Sequence, residues 1–301
     1  MPKFNESATL VLGGSGFLGS YFAQNLPKPN VIHVSSTTGE QDSDGIFRKF
    51  GRFDNESDLL EFLKETQFKN VINCIALANI EECENNPNLA RWLNIELPGV
   101  IARYCKSIEA RMIHISTDAV FDGKTPFRTE TESPSPVSNY GRTKLEGEKL
   151  VLETLPESLI ARVNFFGSSK KKDSLFDFFY SRLVSGVEAF AYDDVFFTPV
   201  YASETVRLIL ELANKSQTGI YHVVGNQRIS KFEFAKLISS VFKLDSRYIA
   251  QIQAPSSRMS KLRGHDLSLN NQKLKSIGVF PCSIEDGLRT LKLEMEKLNA
   301  S

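Results

Sequence analysis

The chain has 301 residues, of which 41% are hydrophobic and 24% are charged, and this length predicts about two domain-sized units with a substantial core. Lysine plus arginine and aspartate plus glutamate both number 36, so no net positive field exists to attract nucleic acid or an anionic membrane. The 4 cysteines form no CxxC or Cys/His cluster, which predicts neither a metal site nor a disulfide framework. Because the sequence has no leader-like or membrane-length apolar segment, we expect a cytoplasmic protein without nucleic-acid or membrane partners.

The first half of the chain alternates short β-branched runs with helix-like stretches. Strands are predicted at ATLVLGG, NVIHVSS, NVINCIA, ARMIHIST and SLIARVN, and helices near residues 16–26, 57–67, 88–107 and 140–155. Strand–helix alternation requires parallel strands with right-handed crossovers, and continuous apolar runs suit strands covered on both faces. The pattern therefore predicts an α/β protein with a Rossmann-type doubly wound parallel sheet.

The rhythm of the sequence changes after Arg162. The stretch DSLFDFFYSRLVSG predicts an amphipathic helix, EAFAYDDVFFTPV predicts extended structure, and GIYHVVG has the pattern of a returning strand. We therefore predict a dinucleotide-binding domain at residues 1–168, to which residues 198–225 return. Residues 169–197 and 226–301 are predicted to form a smaller mixed α/β substrate-binding domain.

The first motif that carries chemistry is GGSGFLG, with glycines at Gly13, Gly16 and Gly19 between a predicted strand and a predicted helix. This spacing lets the chain turn tightly, lets a pyrophosphate approach the backbone, and presents helix N-terminal N–H groups to anionic oxygens. An ordinary tight turn between strand and helix is the alternative interpretation. The position of the motif after the first strand favours a dinucleotide site.

The segment after the second predicted strand bears on the choice of cofactor. Ser35 and Ser36 stand where an NAD-selective enzyme often places an acidic residue on the ribose diol. Small hydroxyl side chains permit a 2′-phosphate, yet no arginine follows closely to bind it, so NADPH and NADH both stay open. Asp54 is a candidate to accept a hydrogen bond from an adenine amino group, with a helix N-terminal role as the alternative.

A tyrosine and a lysine stand four residues apart in NYGRTKLEGE, where Tyr140 and Lys144 would share one face of a helix. A lysine ammonium beside a phenol favours the phenolate, so we expect a lowered pKa for Tyr140 and an acid–base role near neutral pH. The alternative is a solvated pair on a helix surface. The nucleotide-binding start of the chain favours the catalytic interpretation.

Polar residues also end the predicted strand ARMIHIST. Ser116, Thr117 and Asp118 fall at the carboxyl edge of the sheet, where doubly wound proteins bind their ligands, and a hydroxyl there could polarise a carbonyl. Local capping is the alternative role for these hydroxyls. The isolated His114 and His222 are interpreted as structural residues of their strands.

Together these segments resemble the extended short-chain dehydrogenase/reductase superfamily and, within it, the dTDP-4-dehydrorhamnose reductase family. GGSGFLG resembles the first-turn glycine motif, ISTDAVFDG resembles Ser-Thr-Asp-Tyr-Val-Phe-x-Gly, and SPVSNYGRTKLEGE resembles Pro-x-x-x-Tyr-Gly-x-x-Lys-x-x-x-Glu. GIYHVVG, FEFAKLI and RGHDLSL resemble the carboxyl-terminal half of the family. The resemblance covers almost the whole chain.

The resemblance implies a catalytic triad of Thr117, Tyr140 and Lys144, with hydride supplied by the nicotinamide of NADPH or NADH. Asp118 and Phe165 would contact a nucleotide-sugar substrate. The positions implied to contact the cofactor are Gly13, Ser15, Gly16, Phe17, Leu18, Ser35, Ser36, Asp54, Ala76, Leu77, Ala78, Tyr140 and Lys144.

Departures from the family pattern lie mostly on the substrate side. Ala119 replaces a tyrosine, Phe165 replaces a tryptophan, and Arg263-Gly264 replaces an Arg-Pro pair. The related 4,6-dehydratases carry an Asp-Glu pair after the threonine, where this chain has Asp118 and Ala119. We therefore expect a keto-sugar reductase of dTDP-L-rhamnose and cell-surface polysaccharide synthesis, which could form a homodimer. A sugar-nucleotide epimerase and a non-catalytic NADP-binding subunit resembling the regulatory subunit of methionine adenosyltransferase are the alternatives.

Overall fold

The computed structural model describes residues 8–26, 31–34, 47–50, 53–169 and 173–300. Within these ranges the strands are β1 (Thr9–Leu12), β2 (Val31–Val34), β3 (Phe47–Phe50), β4 (Asn70–Asn73), β5 (Arg111–Thr117), β6 (Leu159–Val163), β7 (Phe165–Phe166), β8 (Ala189–Tyr192), β9 (Phe196–Phe197), β10 (Val200–Tyr201), β11 (Gly219–Val223), β12 (Ile229–Ser230) and β13 (Ile249–Ile252).

The helices of the same ranges are α1 (Phe17–Asn25), α2 (Glu56–Lys64), α3 (Ile80–Asn85), α4 (Pro87–Arg91), α5 (Leu97–Ser107), α6 (Asn139–Thr154), α7 (Leu175–Val184), α8 (Ala202–Asn214), α9 (Lys231–Phe242), α10 (Arg258–Arg263), α11 (Gln272–Ser276) and α12 (Ile284–Ala300). A π-helical turn, Trp92–Glu96, joins α4 to α5. None of the described helices is both long enough and apolar enough to cross a membrane.

Seven of the described strands form one parallel sheet in the order β11-β6-β5-β4-β1-β2-β3. Strand β1 pairs with β2 on one side and with β4 on the other, so the winding direction reverses between β1 and β4. Such a reversal opens a crevice at the carboxyl ends of the strands, where ligands of doubly wound proteins bind. The predicted Rossmann-type parallel sheet is confirmed.

Both faces of the sheet are covered, as its apolar strands require. In β1, Val11 packs into one core with Phe22 of α1 and Ile209 of α8. Its neighbours Leu10 and Leu12 point to the opposite core. The residues that α2, α5 and α6 contribute to that second core include Leu59, Phe62, Leu97, Val100, Ile101 and Val151.

The second half of the chain is built from short strand pairs and helices. The pairs are β7 with β10, β9 with β12, and β8 with β13. Helices α7, α9 and α12 bury Phe176, Ile238 and Leu288 in the same core that covers one face of the large sheet. Residues 219–223 return to the large sheet beside β6. One apolar core contains residues from both halves of the chain. The division into the two predicted domains stays a prediction.

Candidate active site

The glycine turn after β1 is as tight as its sequence predicts. Gly13 has φ +80°, which glycine adopts at little cost, and its carbonyl accepts a 2.9 Å hydrogen bond from the Gly16 N–H. A Cβ on Gly19 would lie 2.1 Å from the Gly13 carbonyl oxygen, so only glycine lets α1 approach this closely. Gly16 is the N-cap residue of α1 and has no side chain to cap it, and Ser15 beside it is exposed. The helix therefore presents first-turn amides to the carboxyl edge of the sheet.

The segment from Ala76 to Ala78 follows β4 at the same edge and is held by Asn94 of the π-helical turn. Asn94 accepts a 2.9 Å hydrogen bond from the Leu77 N–H and donates one of 3.1 Å to the Leu77 carbonyl. Its amide also lies 3.0 Å from the Thr143 hydroxyl of α6. π-Helical turns recur at functional sites, and this one joins a predicted cofactor segment to the helix of the Tyr/Lys pair. Asn94 is not among the predicted site residues.

Thr117 and Tyr140 meet where β5 ends and α6 begins. The Ser138 hydroxyl caps α6 by accepting a 3.1 Å hydrogen bond from the Gly141 N–H, which places Tyr140 in the first helical turn. The Tyr140 phenol lies near the Thr117 side chain, and their interaction offsets part of the rise in pKa that burial causes in Tyr140. The two predicted catalytic hydroxyls therefore lie side by side.

Lys144 lies one turn further along α6 with its side chain buried against β5. Its Nζ donates a 2.7 Å hydrogen bond to the Ile115 carbonyl and lies 3.1 Å from Nε2 of His114. Burial lowers the pKa of Lys144 to about 8 and raises the pKa of Tyr140 to about 12. The lowered pKa expected for Tyr140 is wrong for this arrangement, because desolvation dominates and Lys144 is directed towards the strand.

Asp118 links the catalytic threonine to the second half of the chain. Its carboxylate accepts a 3.0 Å hydrogen bond from the Thr117 hydroxyl and another from the Asn164 amide, and burial raises its pKa to about 6. Lys231, the first residue of α9, is attracted to this carboxylate, and burial of the ammonium lowers its pKa to about 7. Its Nζ lies 3.2 Å from the centroid of the Phe197 ring.

Lys231 is not among the predicted site residues, although the sequence contains a signal for it. A cation in the first turn of a helix opposes the helix dipole, and the capped helix that begins at Ser230 starts with this lysine. Such a placement is explained by a buried carboxylate in front of the helix.

The remaining predicted positions fall in different surroundings. Phe165 is partly buried, and its ring meets Phe17 edge-on at 5.1 Å between centroids, so it contacts the glycine turn. Leu18 is buried in the core behind that turn. Asp54 is exposed just before α2, and its N–H donates a 3.2 Å hydrogen bond to Asp58. Ser35 and Ser36 lie outside the described residues.

A cavity of about 670 Å³ opens beside the loop residues Asp122, Gly123 and Lys124, a few positions after Asp118. Within it the Arg228 guanidinium stacks 3.6 Å from the centroid of the Phe196 ring and pairs with Asp266 at 2.6 Å. Gly264 lines the cavity with φ +68°, a value that proline cannot adopt, and a Cβ there would lie 3.1 Å from Cα of Gly123. The departure from the family's Arg-Pro pair therefore changes the backbone of this wall.

The Rossmann-type sheet, with a threonine, a tyrosine and a lysine gathered at its carboxyl edge, defines the short-chain dehydrogenase/reductase superfamily. Within it, residues 7–295 match the family described as RmlD substrate binding domain, and the chain belongs to this family.

Three known proteins illustrate the similarity. A probable low-salt glycan biosynthesis reductase of Haloferax volcanii is 31% identical over 293 residues, which cover 94% of this chain and 96% of the relative. Methionine adenosyltransferase 2 subunit beta of Rattus norvegicus is 27% identical over 90% of this chain and 82% of its own length. The structure of dTDP-4-dehydrorhamnose reductase from Bacillus anthracis in complex with NADP superposes with a TM-score of 0.81 at 22% identity, covering 96% of this chain and 99% of that chain.

Proposed function

We propose that the protein is an NAD(P)H-dependent reductase of a keto group on a nucleotide-linked deoxysugar, with dTDP-4-dehydrorhamnose as the first candidate substrate. The observation that carries the proposal is that the Thr117 and Tyr140 side chains are neighbours at the carboxyl edge of the sheet, with buried Lys144 one helical turn away. The family match and the reductase relative support the reaction class. The product would then be dTDP-L-rhamnose for cell-surface polysaccharide synthesis.

The glycine turn fits the diphosphate of a nicotinamide dinucleotide. Gly16 is exposed and carries no side chain that would fill the approach to the first turn of α1, and that turn holds no acidic residue to repel an anion. Ala76 to Ala78 would lie beside this turn, because they follow β4, which pairs with β1. When bound, the reduced dinucleotide would supply the hydride. The choice between NADPH and NADH stays open at Ser35 and Ser36.

The residues of the chain would supply the proton and hold the ketone. Thr117 and Tyr140 would donate hydrogen bonds to the ketone oxygen as negative charge develops there, and Tyr140 would then give it the phenolic proton. Because the pKa of Tyr140 is about 12, the phenol carries its proton at neutral pH and is ready to donate it. Asp118 would accept hydrogen bonds from the sugar.

The cavity supports a substrate that carries a nucleotide. Arg228, Lys124 and Lys261 line it together with Asp122, Asp194 and Asp266. Because Arg228 is already paired with Asp266, the two lysines are the cations that a diphosphate would meet. The Phe196 ring beside Arg228 provides an apolar surface for the base. A cavity of about 670 Å³ falls within the range of small-molecule sites.

The test follows the oxidation of NADPH, and separately NADH, by the purified protein with enzymatically generated dTDP-4-dehydro-L-rhamnose. We expect rapid loss of reduced-nicotinamide absorbance that Tyr140→Phe lowers by at least about 100-fold, since one positioned general acid contributes that much. Tyr104→Phe is the matched control, because Tyr104 lies in α5 and its ring packs against Phe68, which precedes β4. It should retain wild-type turnover.

Two other outcomes would replace the proposal. A sugar-nucleotide epimerase would regenerate its own NAD, so the sugar would change without net oxidation of added NADPH. A binding subunit like the methionine adenosyltransferase relative would bind the dinucleotide without turning over any ketone, and Tyr140→Phe would change nothing. The similarity over 90% of this chain makes that second outcome worth measuring by dinucleotide titration in the same samples.

A further inference from the structure

His114 stands in the middle of β5, fully buried between two nitrogen atoms of other residues. Its Nδ1 lies 3.2 Å from the Asn73 side-chain nitrogen, and its Nε2 lies 3.1 Å from Nζ of Lys144. Asn73 and His114 are direct partners in the β4–β5 register. The strand pairing therefore fixes the first contact, and α6 supplies the second.

The orientation of the Asn73 amide is set by its other partner. Its Oδ1 accepts a 3.1 Å hydrogen bond from the Ile75 N–H, so Nδ2 is the atom that faces the imidazole. A flipped amide would place two donors, Nδ2 and the Ile75 N–H, against each other. Nδ1 of His114 must consequently accept a hydrogen bond from Asn73.

The hydrogen bond at the other ring nitrogen, Nε2, then determines the protonation state of Lys144. Burial holds the pKa of His114 well below its usual range, so the imidazole is neutral and carries one N–H. With Nδ1 accepting, that proton sits on Nε2 and points at Nζ. The contacts all pair a donor with an acceptor only if Lys144 is an amine that accepts from His114 and donates to the Ile115 carbonyl.

We propose that His114 is a positioning residue that couples its own ring proton to the protonation of Lys144. Adding a proton to the Lys144 amine turns the Nζ lone pair into a third N–H, which faces Nε2–H. The ring proton must then move to Nδ1, where it meets the Asn73 N–H. The Asn73–His114 pair thus opposes the ammonium form of Lys144, and it sets the pH at which that form appears.

Other groups also face Lys144 and act on the same equilibrium. The Cys74 thiol after β4 and the Glu148 carboxylate on α6 would favour the ammonium when charged. Glu148 is already bound by Arg162 at 2.8 Å, and burial raises the pKa of Cys74 to about 12, which keeps that thiol neutral. His114 is therefore the neighbour whose hydrogen bond distinguishes the amine from the ammonium directly.

The catalytic role of Lys144 rests on the proposed function, but the hydrogen-bond assignment can be tested without turnover. Long-range ¹H–¹⁵N spectra of histidine-labelled protein report which ring nitrogen carries the proton. At about pH 9, above the pKa of Lys144, we expect His114 as the Nε2–H tautomer. An Nδ1–H tautomer at that pH would overturn the proposal, whether or not the protein reduces any ketone.

The chain contains its own control for this experiment. His222 is equally buried, but its Nδ1 lies 3.1 Å from the Asn270 carbonyl and its Nε2 lies 3.4 Å from an Arg162 nitrogen. A carbonyl only accepts and a guanidinium only donates, so His222 should be the opposite tautomer, Nδ1–H. The variants H114Q and H222Q assign the two sets of signals.

A near-isosteric variant reverses the expected result. Asn73→Asp replaces the nitrogen donor with an oxygen acceptor, so His114 should change to the Nδ1–H tautomer. The pKa of Lys144 should then rise, so that its ammonium form persists to higher pH. In the active enzyme, the pH dependence of kcat/KM should move to higher pH with it. An unchanged His114 tautomer in a folded N73D protein would contradict the coupling, and if N73D does not fold, the wild-type spectrum alone decides.

Discussion

The carbonyl oxygen of Ala119 lies directly against Gly141, the residue that follows Tyr140, and a Cβ built on Gly141 would lie 2.1 Å from it. Gly141→Ala should therefore push the start of α6 away from the end of β5 and separate Tyr140 from Thr117. We expect kcat/KM to fall by about 100-fold, because misplacement by about an ångström costs that much. Steady-state kinetics on the folded variant measures the effect.

The control for this substitution is Gly99→Ala in α5. A Cβ there would also be tight, at 2.5 Å from a methyl carbon of Leu150, but that neighbour is the movable end of a side chain. We expect a change of less than about 2 kcal/mol in the free energy of unfolding and near-normal kcat/KM. Equal losses of activity in both variants would mean that the Ala119–Gly141 contact has no special role.

A second prediction concerns the buried ion pair behind the site. Arg162 and Glu148 are 2.8 Å apart with side chains 2% and 1% exposed, and Ser116 also donates a hydrogen bond to Glu148. Glu148→Gln leaves the guanidinium buried without its counter-charge, which should lower the free energy of unfolding by about 3–5 kcal/mol. Denaturant titration of wild type and Glu148→Gln measures this difference in the free energy of unfolding.

An exposed pair of the same length provides the comparison. Arg91 and Glu96 are also 2.8 Å apart, with side chains 63% and 45% exposed. Glu96→Gln should cost less than about 1 kcal/mol, because water already solvates both groups. If the two variants are equally stable, the buried pair is not a structural requirement of the sheet.

A third prediction follows from the burial of His222. Burial, aided by the nearby Arg162 charge, lowers the pKa of this histidine to about 3. Between pH 6.5 and pH 3, roughly, the unfolded chain binds a proton on His222 that the native protein does not, so stability rises with pH in that window. From pH 7 to pH 5 this one group should remove about 2 kcal/mol from the free energy of unfolding.

The test compares the acid sensitivity of wild type with that of His222→Gln. The difference in unfolding free energy between pH 7 and pH 5 should be smaller by about 2 kcal/mol in the variant. His265→Gln is the matched control, because the His265 side chain is 47% exposed. Parallel pH dependence in wild type and H222Q would show that His222 does not contribute.

A fourth prediction concerns Lys231. Lys231→Met removes the cation that faces the buried Asp118 carboxylate, so the pKa of Asp118 should rise further above about 6. We expect kcat/KM to fall by at least about tenfold at neutral pH, or ~1.4 kcal/mol of transition-state stabilisation. Part of that loss should appear as an altered pH dependence.

Lys236→Met, an exposed position of the same helix, is the control and should keep normal kinetics. If Lys231→Met reduced the free energy of unfolding but left kcat/KM and its pH dependence unchanged, Lys231 would be structural only.

Local sequence patterns were sufficient to predict the sheet and the glycine turn. The Gly16 N–H binds the Gly13 carbonyl, and Gly19 must lack a Cβ because that same carbonyl lies against it, so both contacts fall within the motif. Tyr140 and Lys144 likewise lie in one capped helix, as their spacing predicts. The shared helix could therefore be anticipated from the sequence alone, and the catalytic role of the pair stays a prediction.

Residues brought together by register or by the second half of the chain could not be predicted in this way. Asn73 and His114 become neighbours only through the β4–β5 pairing, and Lys231 reaches Asp118 only when α9 is in place. The expected effect of Lys144 on Tyr140 was wrong for the same reason, since the partners of Lys144 lie across the sheet rather than along the helix.

The pairing of β11 with β6 also bears on how the chain can be divided. All five residues of β6 are buried, and β11 occupies the hydrogen-bonding side that would otherwise be the outer edge of the sheet. A fragment ending near residue 168 would present that apolar strand as an open template for other chains. During synthesis, the nucleotide half would therefore stay prone to intermolecular association until residues 219–223 emerge and dock.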